Sequence, residues 1–194
     1  LAACDSSPNP APKPSPQDLF FDRLSLLCGK AYAGILVSDQ KADAEMTGKP
    51  MIMHVASCDL KEIQIPFHIA EDGGNWDRSR TWSITRTTEG LRLKHRHEDG
   101  SLDSVTNYGG NTIGQGTSER QEFPVDAESI ASFRANGLDQ SVTNIWAVEI
   151  APPGQSGAHF AYELRRPESA DGRYFRVEFD LSQPVVPPPP PWGD

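Results

Sequence analysis

The sequence predicts a mostly β fold: an antiparallel, up-and-down barrel of about 8–10 strands, with a short N-terminal helix and one further helix. Two observations carry that reading. From residue 31 onward apolar residues recur at every second position, the period of a half-buried strand. The 17 prolines, by contrast, crowd at the two ends of the chain. Five fall at alternate positions from Pro8 to Pro16, and six more are Pro184 and the run Pro187 to Pro191. Such segments favour polyproline II and bury no core. The chain therefore divides into a tether (1–16), one folded domain (17–182) and a proline-rich tail (183–194). A domain of that size buries about 70 % of its unfolded surface, enough to fold without metal or disulfide.

The elements follow in order. Residues 17–29 form an amphipathic helix, with Leu19, Phe20, Leu24 and Leu27 at helical spacing and Gly29 as its stop. Strands are expected at 31–38 and 51–58, then on Ile63, Ile65, Phe67 and Ile69, with Glu62, Gln64 and His68 on the wet face. Further strands are expected at 80–88, 91–98, 102–109 and 117–123. A second helix spans 127–136, capped by Asp126 and stopped by Gly137. Three more strands put Trp146, Val148 and Ile150, then Phe160, Tyr162 and Leu164, then Phe175, Val177, Phe179 and Leu181 on dry faces. His159, Glu163 and Arg165 face water. One wet and one dry face per strand is the mark of antiparallel sheets.

The net charge of −9 argues against nucleic acid, which needs clustered Lys and Arg. The densest basic stretch, Arg92 to Arg96, runs straight into Glu98 and Asp99 and reads as a solvated strand face. No apolar run is long enough to span a membrane.

At the amino terminus, Leu1-Ala2-Ala3-Cys4 resembles the lipobox of bacterial lipoproteins, followed by Asp5-Ser6-Ser7 and the alternating prolines. The resemblance implies a lipid on Cys4, a membrane as the partner of that lipid, and residence on the periplasmic side of the cell envelope. Asp5 after the cysteine resembles an inner-membrane retention signal of some Gram-negative bacteria. With Cys4 lipidated, Cys28 and Cys58 remain as a pair in a compartment where disulfides persist. Their pairing is expected to close a loop of about 30 residues and contribute roughly 3–4 kcal/mol. Two buried free thiols are the alternative.

The stretch from Leu27 to Gly34, a helix end leading into a first strand, resembles the opening of lipocalin-like (calycin) barrels. That family's Gly-x-Trp signature is degenerate here, with Gly29 as the glycine and Tyr32 displaced by one position.

The stretch with most chemistry is Leu91 to Gly100. Arg92, Lys94, Arg96 and Glu98 face water, so Leu91, Leu93, His95 and His97 face inward. Asp99-Gly100 is a two-residue hairpin signal. It would set His97 opposite Leu102, His95 opposite Ser104, Leu93 opposite Thr106 and Leu91 opposite Tyr108, with Arg96 meeting Asp103 outside. On 80–88, Trp82 and Arg86 share a face and are placed with this interior patch.

Several readings stay open. The histidines are a hydrogen-bonded polar patch in the core. Or His95, His97, Tyr108, Thr106, Ser104, Trp82 and Arg86 line a cavity for a small, partly apolar or amphipathic ligand. Or His95 and His97, two apart on a strand, bind a metal in an enzyme, although no third ligand is identifiable. Direct acid–base catalysis is the remaining option. The carrier is preferred over the enzyme, and no cofactor is expected. A third class is a structural or interaction module of the envelope, its tail from Pro187 to Trp192 docking on a protein partner. Tyr108-Gly109-Gly110-Asn111 precedes no helix and reads as a bent strand or bulge. The acidic turn Glu71 to Asp77 lacks EF-hand spacing and reads as a solvated loop.

Overall fold

The first helix, α1, spans Pro16–Ser25. Ser15 caps it in a reciprocal capping box with Asp18, and Pro16 occupies the first turn, where a missing N–H is harmless. The chain leaves it through Gly29 at φ +79°, a conformation that favours glycine. This computed structural model describes residues 12–98, 105–151 and 153–193. Cys4, Ser104 and the Asp99-Gly100 turn lie outside the described residues.

Eleven antiparallel strands follow: β1 (Ala31–Leu36), β2 (Met51–His54), β3 (Ser57–Cys58), β4 (Glu62–Ala70), β5 (Trp76–Thr87), β6 (Gly90–His97), β7 (Tyr108–Asn111), β8 (Arg120–Pro124), β9 (Ile145–Ala151), β10 (His159–Arg166) and β11 (Arg173–Asp180). Their order is β7-β6-β5-β4-β2-β1-β11-β10-β9-β8, with β3 appended to β4. Neighbours in sequence are thus mostly neighbours in space, the up-and-down order of a lipocalin-like barrel. A single bridge between Gly110 and Val125 brings the last two edges together.

That seam explains the Gly-Gly pair. A Cβ at Gly109 would collide with the Leu93 carbonyl, and one at Gly110 with the Pro124 carbonyl. Only bare backbone fits between β6 and the end of β8. The second helix, α2 (Ala127–Ala135), fastens the seam from outside. Its N-cap Asp126 accepts from Ser129 N at 2.8 Å, and the Ser129 hydroxyl accepts from Gly109 N at 2.7 Å. Lys94 on β6 reaches both Asp126 (2.9 Å) and Glu128 (3.0 Å).

The seam also corrects the predicted hairpin. His95 lies opposite Tyr108 and Leu93 opposite Gly110, four residues from the expected register. Strand β7 begins where the glycines can enter the gap, so closure of the barrel sets the register of the described residues. The shift is even, so Tyr108 still faces inward.

The interior is filled by apolar side chains from every long strand, with Trp82 stacked between Phe67 (4.8 Å) and Tyr162 (4.4 Å). One end is plugged by α1, whose Phe20, Phe21 and Leu24 are buried, as is Leu27 just after it, whereas Leu19 is exposed. Arg86, inward-facing at the end of β5, pairs there with Asp18 and with Asp22 (2.9 Å) and lies 4.2 Å over the Phe21 ring. Cys28 and Cys58 are joined at this end, with Cα atoms 6.1 Å apart.

The outer face is polar and cross-linked. Glu163, almost fully buried, sits between Arg120 (2.9 Å) and Arg176 (3.1 Å). Its neighbour Glu149 is held down to about 2 by the Arg176 guanidinium first and by Arg120 as well. His68 departs from expectation. It does face away from the core, but it is fully buried, because the proline-rich tail crosses that face. Pro189 O lies 3.0 Å from His68 Nε2, Arg78 donates to Pro190 O at 2.7 Å, and Trp192 N donates to Arg78 O at 3.1 Å. The tail is seated on the protein's own barrel. Strand periodicity tells which face a side chain takes, not what lies over that face.

Candidate functional site

Among the described residues, the end opposite α1 is open. Its centre is His95, which the alternation of β6 points inward and the rings of three other strands surround. Tyr108 stacks on it at 4.7 Å, Trp146 lies 5.0 Å away and Tyr162 5.6 Å. Both ring nitrogens are engaged. Nδ1 lies 3.1 Å from the Tyr108 carbonyl, which only accepts, so Nδ1 carries the proton. Nε2, 2.7 Å from the Tyr162 hydroxyl, is then the acceptor and Tyr162 the donor. Burial lowers the His95 pKa to about 4 and pushes the Tyr162 hydroxyl well above its ordinary value, so both groups are neutral near pH 7.

Above this pair lies a cavity of about 240 Å³. Trp82, His95, His97, Tyr108 and Tyr162 line it, together with Phe67, Phe175, Met46, Arg80 and Arg173. The short 3-10 segment Lys41–Met46 folds over its mouth. That segment is pinned by Asp43, itself buried, which pairs with Arg173. Gln40 accepts from the same arginine at 2.9 Å.

The predicted site residues separate accordingly. His95, His97, Tyr108 and Trp82 share the cavity. Thr106 stands just behind it, its hydroxyl accepting from His97 N at 3.0 Å. Arg86 is at the plugged end, bound to α1, and takes no part. Ser104 lies outside the described residues. Sequence reasoning missed Arg80, Arg173 and Asp43, and it did not connect Tyr162 with His95. A signal for the arginines exists: Arg80 is in phase with Trp82, and Arg173 with Phe175, so each is a charge on a dry face at a strand end. Asp43 has no such mark.

Chemically, the arrangement suits recognition better than turnover. A histidine whose pKa is about 4 is a weak base at neutral pH. A metal would have to displace the hydrogen bond to one of its nitrogens. Among the described residues, no three His, Cys, Asp or Glu side chains converge as a metal site. Among them, too, no helix is long and apolar enough to cross a membrane. No protein-family model, curated protein or solved structure matches this chain.

Proposed function

We propose that this protein is a membrane-tethered envelope lipoprotein whose barrel binds a small, partly apolar ligand at its open end. The cavity over the His95–Tyr162 pair carries the reading. It is the place where an otherwise tightly packed interior presents aromatic faces beside polar groups of fixed orientation, the composition of a ligand pocket. The volume limits the guest. Ligand pockets usually span about 300–1,000 Å³, while an engineered apolar cavity of about 150 Å³ admits benzene. At about 240 Å³ this one suits a molecule of one ring with substituents. The tether rests on the lipobox resemblance at Cys4, and the Cys28–Cys58 bond suits an oxidising compartment.

Native mass spectrometry of protein purified from its own host tests the binding. The expected result is a bound small molecule at a substantial fraction of an equivalent. A ligand-free species that also takes up no small aromatic compound at millimolar concentration would sink the reading. The tether is tested on the membrane fraction, where the N-terminal peptide should carry acyl mass on Cys4. Unmodified Cys4 in mature protein would remove it.

A further inference from the structure

Among the described residues, the rim of the cavity carries more arginines than carboxylates paired with them. Arg166 on β10 and Arg173 on β11 are direct cross-strand partners. Arg166 follows Tyr162 and Leu164 at two-residue steps, so all three face the same way, and those two line the cavity. Like charges directly opposite each other in a sheet are destabilising. Arg173 is relieved by Asp43. Across the mouth, Arg80 is relieved by Asp77. Among the described residues Arg166 has no ion-pair partner, and its Nε is buried with no acceptor. Burial and the neighbouring Arg173 disfavour its charged form, and Asp171 opposes them only as the smallest influence. Among the described residues, three inward arginines therefore share two ion-paired carboxylates. The described residues of the cavity wall include Arg80, Arg96 and Arg173 and no Asp or Glu. The field reaches inside, since both Arg173 and Arg80 act on the Tyr162 hydroxyl.

We propose that the cavity selects a small planar carboxylic acid, its ring among Trp82, Tyr108 and Tyr162 and its carboxylate held by Arg166 beside Arg173. This rests on the reading that the cavity binds a ligand and adds the charge of that ligand. The guanidinium fork matches a carboxylate in two parallel hydrogen bonds, which a lone ammonium cannot do. An anion at this place supplies the acceptor that Arg166 Nε lacks and relieves the repulsion across the strand pair. A long acyl chain does not fit the volume without displacing packed core side chains.

The test is calorimetric titration of the full chain with benzoate and with benzamide, its neutral counterpart of the same shape. Benzoate should bind at least about tenfold tighter, a difference of about 1.4 kcal/mol. The margin should shrink as salt is raised, because the rim is partly exposed. Arg166→Gln should abolish the preference for benzoate, and Arg166→Lys should restore part of it. Equal binding of the two compounds, or a salt-independent margin, overturns the anion assignment and leaves the cavity reading intact. An undiminished preference in Arg166→Gln overturns the role given to that residue. If neither compound binds at millimolar concentration, the cavity reading itself fails. The salt series on the unaltered protein decides the charge question even where a variant does not fold.

Discussion

The two ends of the barrel are built from the same materials and finished differently. Strand β5 carries two inward arginines, Arg86 next to its last residue and Arg80 on the other side of Trp82. At the plugged end, Arg86 meets two carboxylates of α1 and a phenylalanine face, and a disulfide ties the helix junction to β3. The apolar residues of α1 are packed into the core there. At the open end, the cover is a short 3-10 segment, one carboxylate stands against each of two arginines, and a third arginine is left over. The plugged end satisfies its charges internally. The open end keeps charge and space in reserve.

The largest expected effect is at the plug. Phe20→Ala removes a fully buried ring and should cost about 3–5 kcal/mol, read from the urea midpoint. Met46→Ala at the mouth touches a half-buried side chain against a cavity and should cost far less. Equal costs would show that the two ends are equally packed, and the contrast would be lost. Next comes the disulfide. Replacing Cys28 and Cys58 together by serine frees a loop of 30 residues and should cost about 3–4 kcal/mol. A loss below about 1 kcal/mol would mean that α1 holds the end closed unaided.

How much of this was legible in the sequence differs between the ends. The strand faces, the capped α2 and the inward pair His95 and His97 follow from local alternation and capping, and the structure has them. The plug was half legible: helical spacing selected Phe20, Leu24 and Leu27 but also Leu19, which is exposed. Long-range closure was not legible. Gly109 and Gly110 signalled an irregular strand, yet only the approach of β6 and β8 shows why a side chain is forbidden there. That approach also moved the register by four residues. Arg86 and Arg80 read alike in sequence, and it is the helix over one end that separates a structural arginine from a rim arginine. Asp43 sits in an irregular segment with no period, so nothing local marks it as buried.

His95 gives an effect of similar size that appears only with pH. The folded protein holds it deprotonated down to about pH 4, whereas the unfolded chain takes up a proton below about 6.5. The unfolded state thus binds more protons between those values, so stability is complete above about pH 6.5 and falls as pH drops toward 4. The integrated loss is about 3 kcal/mol for this residue. The half-buried His54 and the buried His68 are shifted in the same direction by burial and add to it. Urea midpoints from pH 7.5 to 4 should show this slope, and His95→Gln should flatten it while lowering stability at neutral pH. An unchanged slope in the variant would place the acid sensitivity in the other two histidines, away from the open end.

The smallest effect concerns the tail, which borders the open end. Its last residues run beside Arg78 at the start of β5 and Glu98 beyond β6, with the Arg78 guanidinium 5.8 Å above the Trp192 ring. A cation–π contact between two half-buried groups is worth about 1 kcal/mol, so Trp192→Ala should change the urea midpoint only slightly. Its local effect should be larger than its global one. Hydrogen exchange should quicken along the start of β5, where the tail covers His68 and Ser79, and stay unchanged at α1. Faster exchange confined to the open end would show that the two ends open independently. Equal acceleration at α1 would mean the barrel opens as one unit, and the leftover charge at Arg166 would then have to be understood without a loosely held end.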